Sequence, residues 1–176
     1  MNDMTTSKLG TSPEPATVRL ERLLPGPIER VWAYLIESDK RATWFASGVF
    51  DLRVGGKADL HFDHSKISSE KTPDEYKSKK SDWPSTITRV EPPRLLSFTF
   101  APAGPESEVT FELEPRGKNV MLVITHRRIV NRANMIGVAG GWDAHVGILA
   151  DRLNGVEPRP FWTTHAKLKA EYEAKL

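Results

Sequence analysis

No cysteine occurs in the 176 residues. A disulfide scaffold, a thiol nucleophile and a Cys-ligated zinc or iron–sulfur centre are therefore excluded. Charge of one sign is scarce too: 25 Lys and Arg stand against 23 Asp and Glu, a formal net charge of +2. So small a surplus argues against a nucleic-acid partner, which needs Lys and Arg clustered on one face. No apolar run approaches the ~20 residues that cross a bilayer. The first 16 residues, polar and broken by Pro13 and Pro15, lack the apolar stretch of a secretory signal. These absences imply a cytoplasmic protein without membrane insertion, with residues 1–16 as a disordered lead-in. Serine-nucleophile motifs, P-loops and dinucleotide fingerprints are missing as well. The GVAGG stretch at 137–141 lacks the Lys-Ser/Thr end of a P-loop and reads as a flexible, Gly-bearing loop. No cofactor is implied.

What is there is a 39% hydrophobic chain, enough for one domain with a sizeable core. TVRLERLL (17–24) alternates as a strand, and PGP (25–27) stops it. Ile28, Val31, Trp32 and Leu35 then form a helical stripe with Pro27 at the first helical position. A second short helix follows, capped by Ser38 or Asp39. From Val49 the period becomes two, and VFDLRV-GG-KADLHFDH reads as a hairpin turning at Gly55-Gly56. The charged excursion at 65–82 holds a short helix with capping-box spacing between Thr72 and Glu75. Its KSKK run reads as a solvated face. Four more strands come from PSTITRVE, LLSFTFA, SEVTFELEP and NVMLVITHRR, an antiparallel meander.

The stretch GGWDAHVGILADRLNG (140–155) places Trp142, Val146, Leu149 and Leu153 on one helical face. Asp143 suits the dipole in a first turn, Arg152 suits the far end, and Asn154-Gly155 supplies a C-cap. Asp143 and His145 lie roughly 200° apart around such a helix and do not converge on one atom. A second amphipathic helix follows at the C-terminus, with Phe161, His165, Leu168 and Tyr172 as its stripe. It docks on its own domain or makes a homodimer.

In its order of elements the chain resembles the START-like, or SRPBCC, helix-grip superfamily. More narrowly it resembles the bacterial relatives of the activator of the heat-shock-protein-90 ATPase, the AHSA type. RVWAYL (30–35), RATWF (41–45), VGGKADL (54–60), RVEPPRLLSFTF (89–100), VTFELEP (109–115), LVITHRR (122–128) and GGWDAHVGILADRL (140–153) carry the resemblance. It implies an α+β fold: a curved seven-stranded antiparallel sheet around a long helix, two short helices after the first strand, and here an extra C-terminal helix. The domain spans 17–155 and the helical extension 156–176. The charged excursion reads as a lid over a cavity mouth.

The resemblance also implies a cavity for an apolar or lipid-like small molecule, so the first reading is a binding module rather than an enzyme. Its candidate walls are Trp44, Phe45, Leu60, Phe62, Leu96, Phe98 and Phe100. Phe111, Ile124, Trp142, Val146 and Leu149 complete them, with His64 or His126 as a polar end. The alternatives are a cyclase- or dehydratase-like enzyme using His126 as base, and a chaperone-linked module. The eukaryotic namesakes bind a chaperone, but this chain shows no second, chaperone-binding domain. His61-Phe62-Asp63-His64 looks like a metal pattern, yet on a strand only His61 and Asp63 share a side, so no metal site is expected.

Overall fold

The computed structural model describes residues 8–77 and 81–176. The fold is α+β and helix-grip, as the sequence implies. Strand β1 (Val18–Pro25) leads into helices α1 (Ile28–Ile36) and α2 (Ser38–Arg41). Val31, Trp32 and Leu35 of the expected stripe are buried. Pro27 caps α1 instead of opening it, and Ser38 accepts a hydrogen bond from the Gly48 amide. Strands β2 (Leu60–His61), β3 (Asp82–Trp83), β4 (Ile87–Glu91), β5 (Leu95–Thr99), β6 (Glu108–Arg116) and β7 (Asn119–Arg127) follow. Helix α3 (Asp74–Lys77) lies between β2 and β3. Most of the KSKK run lies outside the described residues.

The expected single seven-stranded sheet is corrected. The main sheet has five strands in the order β1-β7-β6-β5-β4, and β2 and β3 form a separate two-residue ribbon. The arm before β2 explains the difference. It meets its neighbours only at isolated bridges, Ser47↔His61, Phe50↔Ala58 and Lys57↔Thr86. Its turn is shifted by one residue, because the Gly56 amide donates to the Arg53 carbonyl and Val54-Gly55 become the central pair. In the main sheet the expected inward faces are buried, and β5 and β6 also bury Leu95, Ser97 and Thr110 of their other faces. Val18, Leu20 and Leu24, Leu96 and Phe98, Phe111 and Leu113, and Leu122 and Ile124 all sit in the core.

Helix α4 (Asn131–Leu153) is longer than expected and replaces the Gly-bearing loop at 131–141. Asn131 accepts from the Asn134 amide and so starts the helix. Packing overrides the glycines' low propensity. Asp143 is consequently mid-helix, not in a first turn. Trp142, Val146, Leu149 and Leu153 are buried as expected, but so are Ala144 and Ile148 on the opposite side. The reason is α5 (Phe161–Lys175), which packs along α4 within the same chain and covers the side away from the sheet. Phe161, Trp162 and Tyr172 of α5 are buried. Arg159 ties the connection back, with Nε and Nη2 each 2.8 Å from the Asp151 carboxylate.

Of the lead-in expected to be disordered, residues 1–7 lie outside the described residues, and within 8–16 Gly10 is buried. Thr11 bridges Arg19 of β1, and the Gly10 amide donates to the Tyr172 hydroxyl at 2.7 Å. The expected lid is corrected too. None of the excursion's described residues lines the cavity described below; Ser68 and Glu70 cap the start of α5 instead. The Phe161 amide donates to Ser68 at 3.1 Å, and the Thr163 amide to Glu70 at 2.9 Å. No helix among the described residues is long and apolar enough to cross a membrane.

Candidate functional site: an aromatic cavity beside α4

Between α4 and the sheet lies a cavity of about 240 Å³. Phe45 enters it from the segment after α2, Phe62 from just after β2, and Phe100 with Pro102 and Ala103 from the end of β5. Helix α4 supplies Asn134, Gly137, Val138, Gly141, Trp142 and His145, which recur every three or four residues because they share one helical side. The rings support one another. Phe45 lies 4.9 Å from Trp142 and edge-on to Phe62 at 5.0 Å, and Phe100 lies 5.8 Å from Trp142.

The space is kept open by what α4 omits. A Cβ built on Gly141, which is half-buried, or on Gly137, which is exposed at the edge of the cavity, would meet no atom within 4 Å. Each glycine in a helix interior costs about 1 kcal/mol relative to alanine. Two of them, one turn apart and both on the cavity, cost stability while leaving room.

His145 is the buried polar group in the lining. Its Nδ1 is 2.7 Å from the Trp44 carbonyl, which only accepts, so Nδ1 carries the proton. That tautomer leaves Nε2 as a lone pair. Burial is the largest influence on the ring and pushes its pKa down to about 3. The imidazole is therefore neutral near pH 7: an acceptor for a ligand's O–H or N–H, and a weak base.

His126, the histidine favoured from sequence, stands one step behind the wall. It is fully buried and both ring nitrogens are committed. The Trp142 indole donates to Nδ1 at 3.0 Å, so Nε2 carries the proton and donates to Ser107 Oγ at 3.1 Å. Ser107 in turn donates to the Phe100 carbonyl. This relay fixes Trp142 and ties it to the Phe100 backbone, so two of the rings lining the cavity share one polar support. Desolvation holds His126 neutral, with its pKa pushed down to about 3.

Of the other sequence candidates, Phe45, Phe62, Phe100 and Trp142 line the cavity. Trp44, Leu60, Leu96, Phe98, Phe111, Ile124, Val146 and Leu149 lie in closed core, where Trp44 donates its indole N–H to the Tyr34 carbonyl at 2.8 Å. His64 stands outside the lining, 5.6 Å from His145 and packed among Phe62, Phe161 and Trp162 under α5.

Two buried cations were missed. Arg22 shares the inward face of β1 with Leu20 and Leu24 and pairs with Asp143 at 3.0 Å, both about 95% buried. The Tyr172 hydroxyl donates to the other Asp143 oxygen at 2.6 Å. The signal was available: an arginine on an apolar strand face needs a buried acid, and Asp143 stands among apolar helix positions. Arg41 is bound by carbonyls of Leu35, Ala46 and Gly48 and lies 3.6 Å from the Phe50 ring centre. Burial lowers its pKa to about 10. No sequence pattern announces that site.

A curved sheet, a long helix across it and an aromatic cavity between them define the START-like, SRPBCC class. Within that class, the family model of activator of Hsp90 ATPase homolog 1-like proteins matches residues 25–154, and the chain belongs to this family. The protein encoded by gene BPP1335 of Bordetella parapertussis, known from solution NMR, is 43% identical. The match covers 97% of this chain and 92% of that one, with a TM-score of 0.82. CalU16 from Micromonospora echinospora is 21% identical over 96% of each chain, with a TM-score of 0.67. DynU16, described as a protein in the dynemicin biosynthetic locus, is 21% identical. It covers 82% of this chain and 49% of its own, with a TM-score of 0.62. At that identity these two share the fold alone. No curated protein matches the chain.

Proposed function

We propose that the chain binds a small apolar, ring-bearing molecule in the cavity beside α4, oriented by one hydrogen bond to His145 Nε2. The observation that carries this reading is Gly141, half-buried on the cavity wall, where a Cβ would meet no atom within 4 Å. A helix selected only for packing would fill that position. The lining supports an aromatic guest, since ring faces and edges surround the space. Its volume, about 240 Å³, lies just below the roughly 300–1,000 Å³ of drug-sized sites, which favours a compact ligand. A neutral acceptor in an apolar wall favours a hydroxyl or N–H donor over an anion.

The cyclase-like alternative moves from His126 to His145. His126 has no free nitrogen to offer, whereas His145 has a lone pair beside the cavity. A ring with a pKa near 3 is nevertheless a poor general base at neutral pH, because catalytic bases work best near the operating pH. Binding is therefore the first reading.

The test is native mass spectrometry of the freshly purified protein and of Gly141→Leu, each followed by solvent extraction. A compact apolar molecule carried by the first and lost from the second is the expected result. An unliganded protein that also fails to take up naphthalene-type fluorophores would overturn the reading.

A further inference from the structure

Arg41, the last residue of α2, is a buried cation, 2% exposed, and no carboxylate among the described residues pairs with it. An enclosed charge of this kind is costly to fold, and what it supplies is a rigid fork of donors. Nε donates to the Ala46 carbonyl at 2.9 Å, Nη1 to the Leu35 carbonyl at 3.0 Å, and Nη2 to the Gly48 carbonyl. The Phe50 ring centre lies 3.6 Å from the guanidinium carbon.

These bonds close a short loop, residues 42–46. The loop leaves Arg41, whose carbonyl accepts the Trp44 amide at 3.2 Å and the Phe45 amide at 2.8 Å, and it returns to the same side chain at Ala46. Two parts of the cavity beside α4 come from inside that loop. One is the Phe45 ring, and the other is the Trp44 carbonyl, 2.7 Å from His145 Nδ1. Other anchors hold the first half of the loop: Arg152 Nε donates to the Thr43 carbonyl at 3.1 Å, and the Trp44 indole to the Tyr34 carbonyl at 2.8 Å. Among the described residues, the Ala46 carbonyl accepts from Arg41 alone.

The His145 tautomer depends on this loop. A neutral imidazole keeps its one proton on Nδ1 or on Nε2, and a carbonyl held at Nδ1 selects Nδ1–H. A carbonyl free to drift leaves that choice open, and Nε2 becomes a donor in part of the population. The cavity would then no longer favour a ligand's donor over an acceptor.

We propose that Arg41 is the positioning residue of the cavity: by closing the 42–46 loop it keeps the Trp44 carbonyl on His145, and so sets the preference for a ligand that donates a hydrogen bond. Arg41 itself touches no ligand. The role rests on the binding reading above, since the preference is that cavity's.

The experiment is two-bond proton–nitrogen correlation NMR of the histidine rings in the full chain, for the parent and for Arg41→Lys, which keeps the charge and loses the fork. It needs no ligand. His126 is the internal control, because its partners, Trp142 and Ser107, set the opposite tautomer and neither lies in the loop. In the parent, His145 should give the Nδ1–H pattern. In Arg41→Lys its nitrogens should move toward the averaged values of a mixture, while His126 keeps its pattern. Affinities for 2-naphthol, which can donate, and 2-methoxynaphthalene, which only accepts, are measured alongside. The parent should favour 2-naphthol roughly tenfold, the scale of one hydrogen bond, and the variant less than about threefold. General loosening would weaken both compounds alike and leave their ratio unchanged. A folded Arg41→Lys whose His145 stays Nδ1–H overturns the proposal. So does an equal shift of His126, or an unchanged ratio when both compounds bind. If Arg41→Lys does not fold, Phe50→Leu replaces it, removing the ring beside the guanidinium and none of the carbonyls. The same change in His145, smaller in size, is then expected, and its absence overturns the proposal. If neither compound binds the parent, the binding reading falls and the histidine spectra still decide what Arg41 does.

Discussion

Gly141→Ala should stabilise the protein, and the size of the gain follows from the open space beside α4. Glycine in a helix interior is about 1 kcal/mol worse than alanine. A new methyl group adds at most about 0.8 kcal/mol of apolar burial, and less here because the position is half-buried. Nothing stands within 4 Å of the added Cβ, so no steric cost offsets these terms. A gain of about 1 kcal/mol is expected, or roughly 2–4 °C in Tm for a domain of this size. Gly48→Ala supplies the contrast. Gly48 has φ +124°, and its Cβ would lie 2.0 Å from the Asp59 carbonyl oxygen, so the same chemical change should destabilise. The assay is urea denaturation and thermal melting without ligand, followed by ligand titration of both variants. Gly141→Ala should gain stability while binding the apolar guest more weakly. A Gly141→Ala variant less stable than the parent would refute the reasoning, since it would mean that the cavity is already filled at that point.

Stability should fall with acid through the buried histidines. His126 and His145 have folded pKa values lowered to about 3, against about 6.5 unfolded. Their contribution is complete above pH 6.5 and is lost as the pH falls from there towards 3, because the unfolded chain takes protons that the folded one refuses. At pH 5 each costs about 2 kcal/mol, so the unfolding free energies from urea titrations at pH 7 and pH 5 should differ by at least about 4 kcal/mol, and a difference below about 1 kcal/mol would contradict neutral rings. Asp143→Ala should cost about 3–5 kcal/mol because it strands the Arg22 charge, whereas Arg22→Met combined with Asp143→Leu should recover most of the loss in a double-mutant cycle. His126→Ala should destabilise by about 2–4 kcal/mol by opening a void and orphaning the Trp142 N–H, and should shift ligand affinity only through the loosened indole. Unchanged Trp142 fluorescence in that variant would count against the relay.

Much of the fold was legible because the main-sheet strands β1, β4 and β7 bury one face each, and burial on one face writes itself as a period of two. Helix α1 is legible for the matching reason at 3.6 residues. The arm at 47–61 was misread because alternation does not specify pairing, and its contacts are single bridges. Helix α4 was cut short because glycine counts locally as a breaker, and only its neighbours show why the glycines are there. Gly137 and Gly141 face space, while Gly140 lets the Lys169 backbone come within 3.6 Å of where a Cβ would stand. In the candidate site, the aromatic lining residues were readable as inward-facing rings. His145 was not, because its role depends on the Trp44 carbonyl, a partner 101 residues away. His126 drew attention by strand position alone, and both its partners come from elsewhere in the chain.

The Asp143 carboxylate has a consequence for where this protein can be cut. One of its oxygens takes Arg22 from β1 and the other takes Tyr172 from α5, whose hydroxyl also receives the Gly10 amide. The family model stops at residue 154, yet a chain shortened to that point would leave this acid half-satisfied and uncover the far side of α4. The packed structure thus extends at both ends beyond the residues that the family model matches. A fragment chosen by family boundaries would inherit the cavity but lose the clamp that holds its main helix in place.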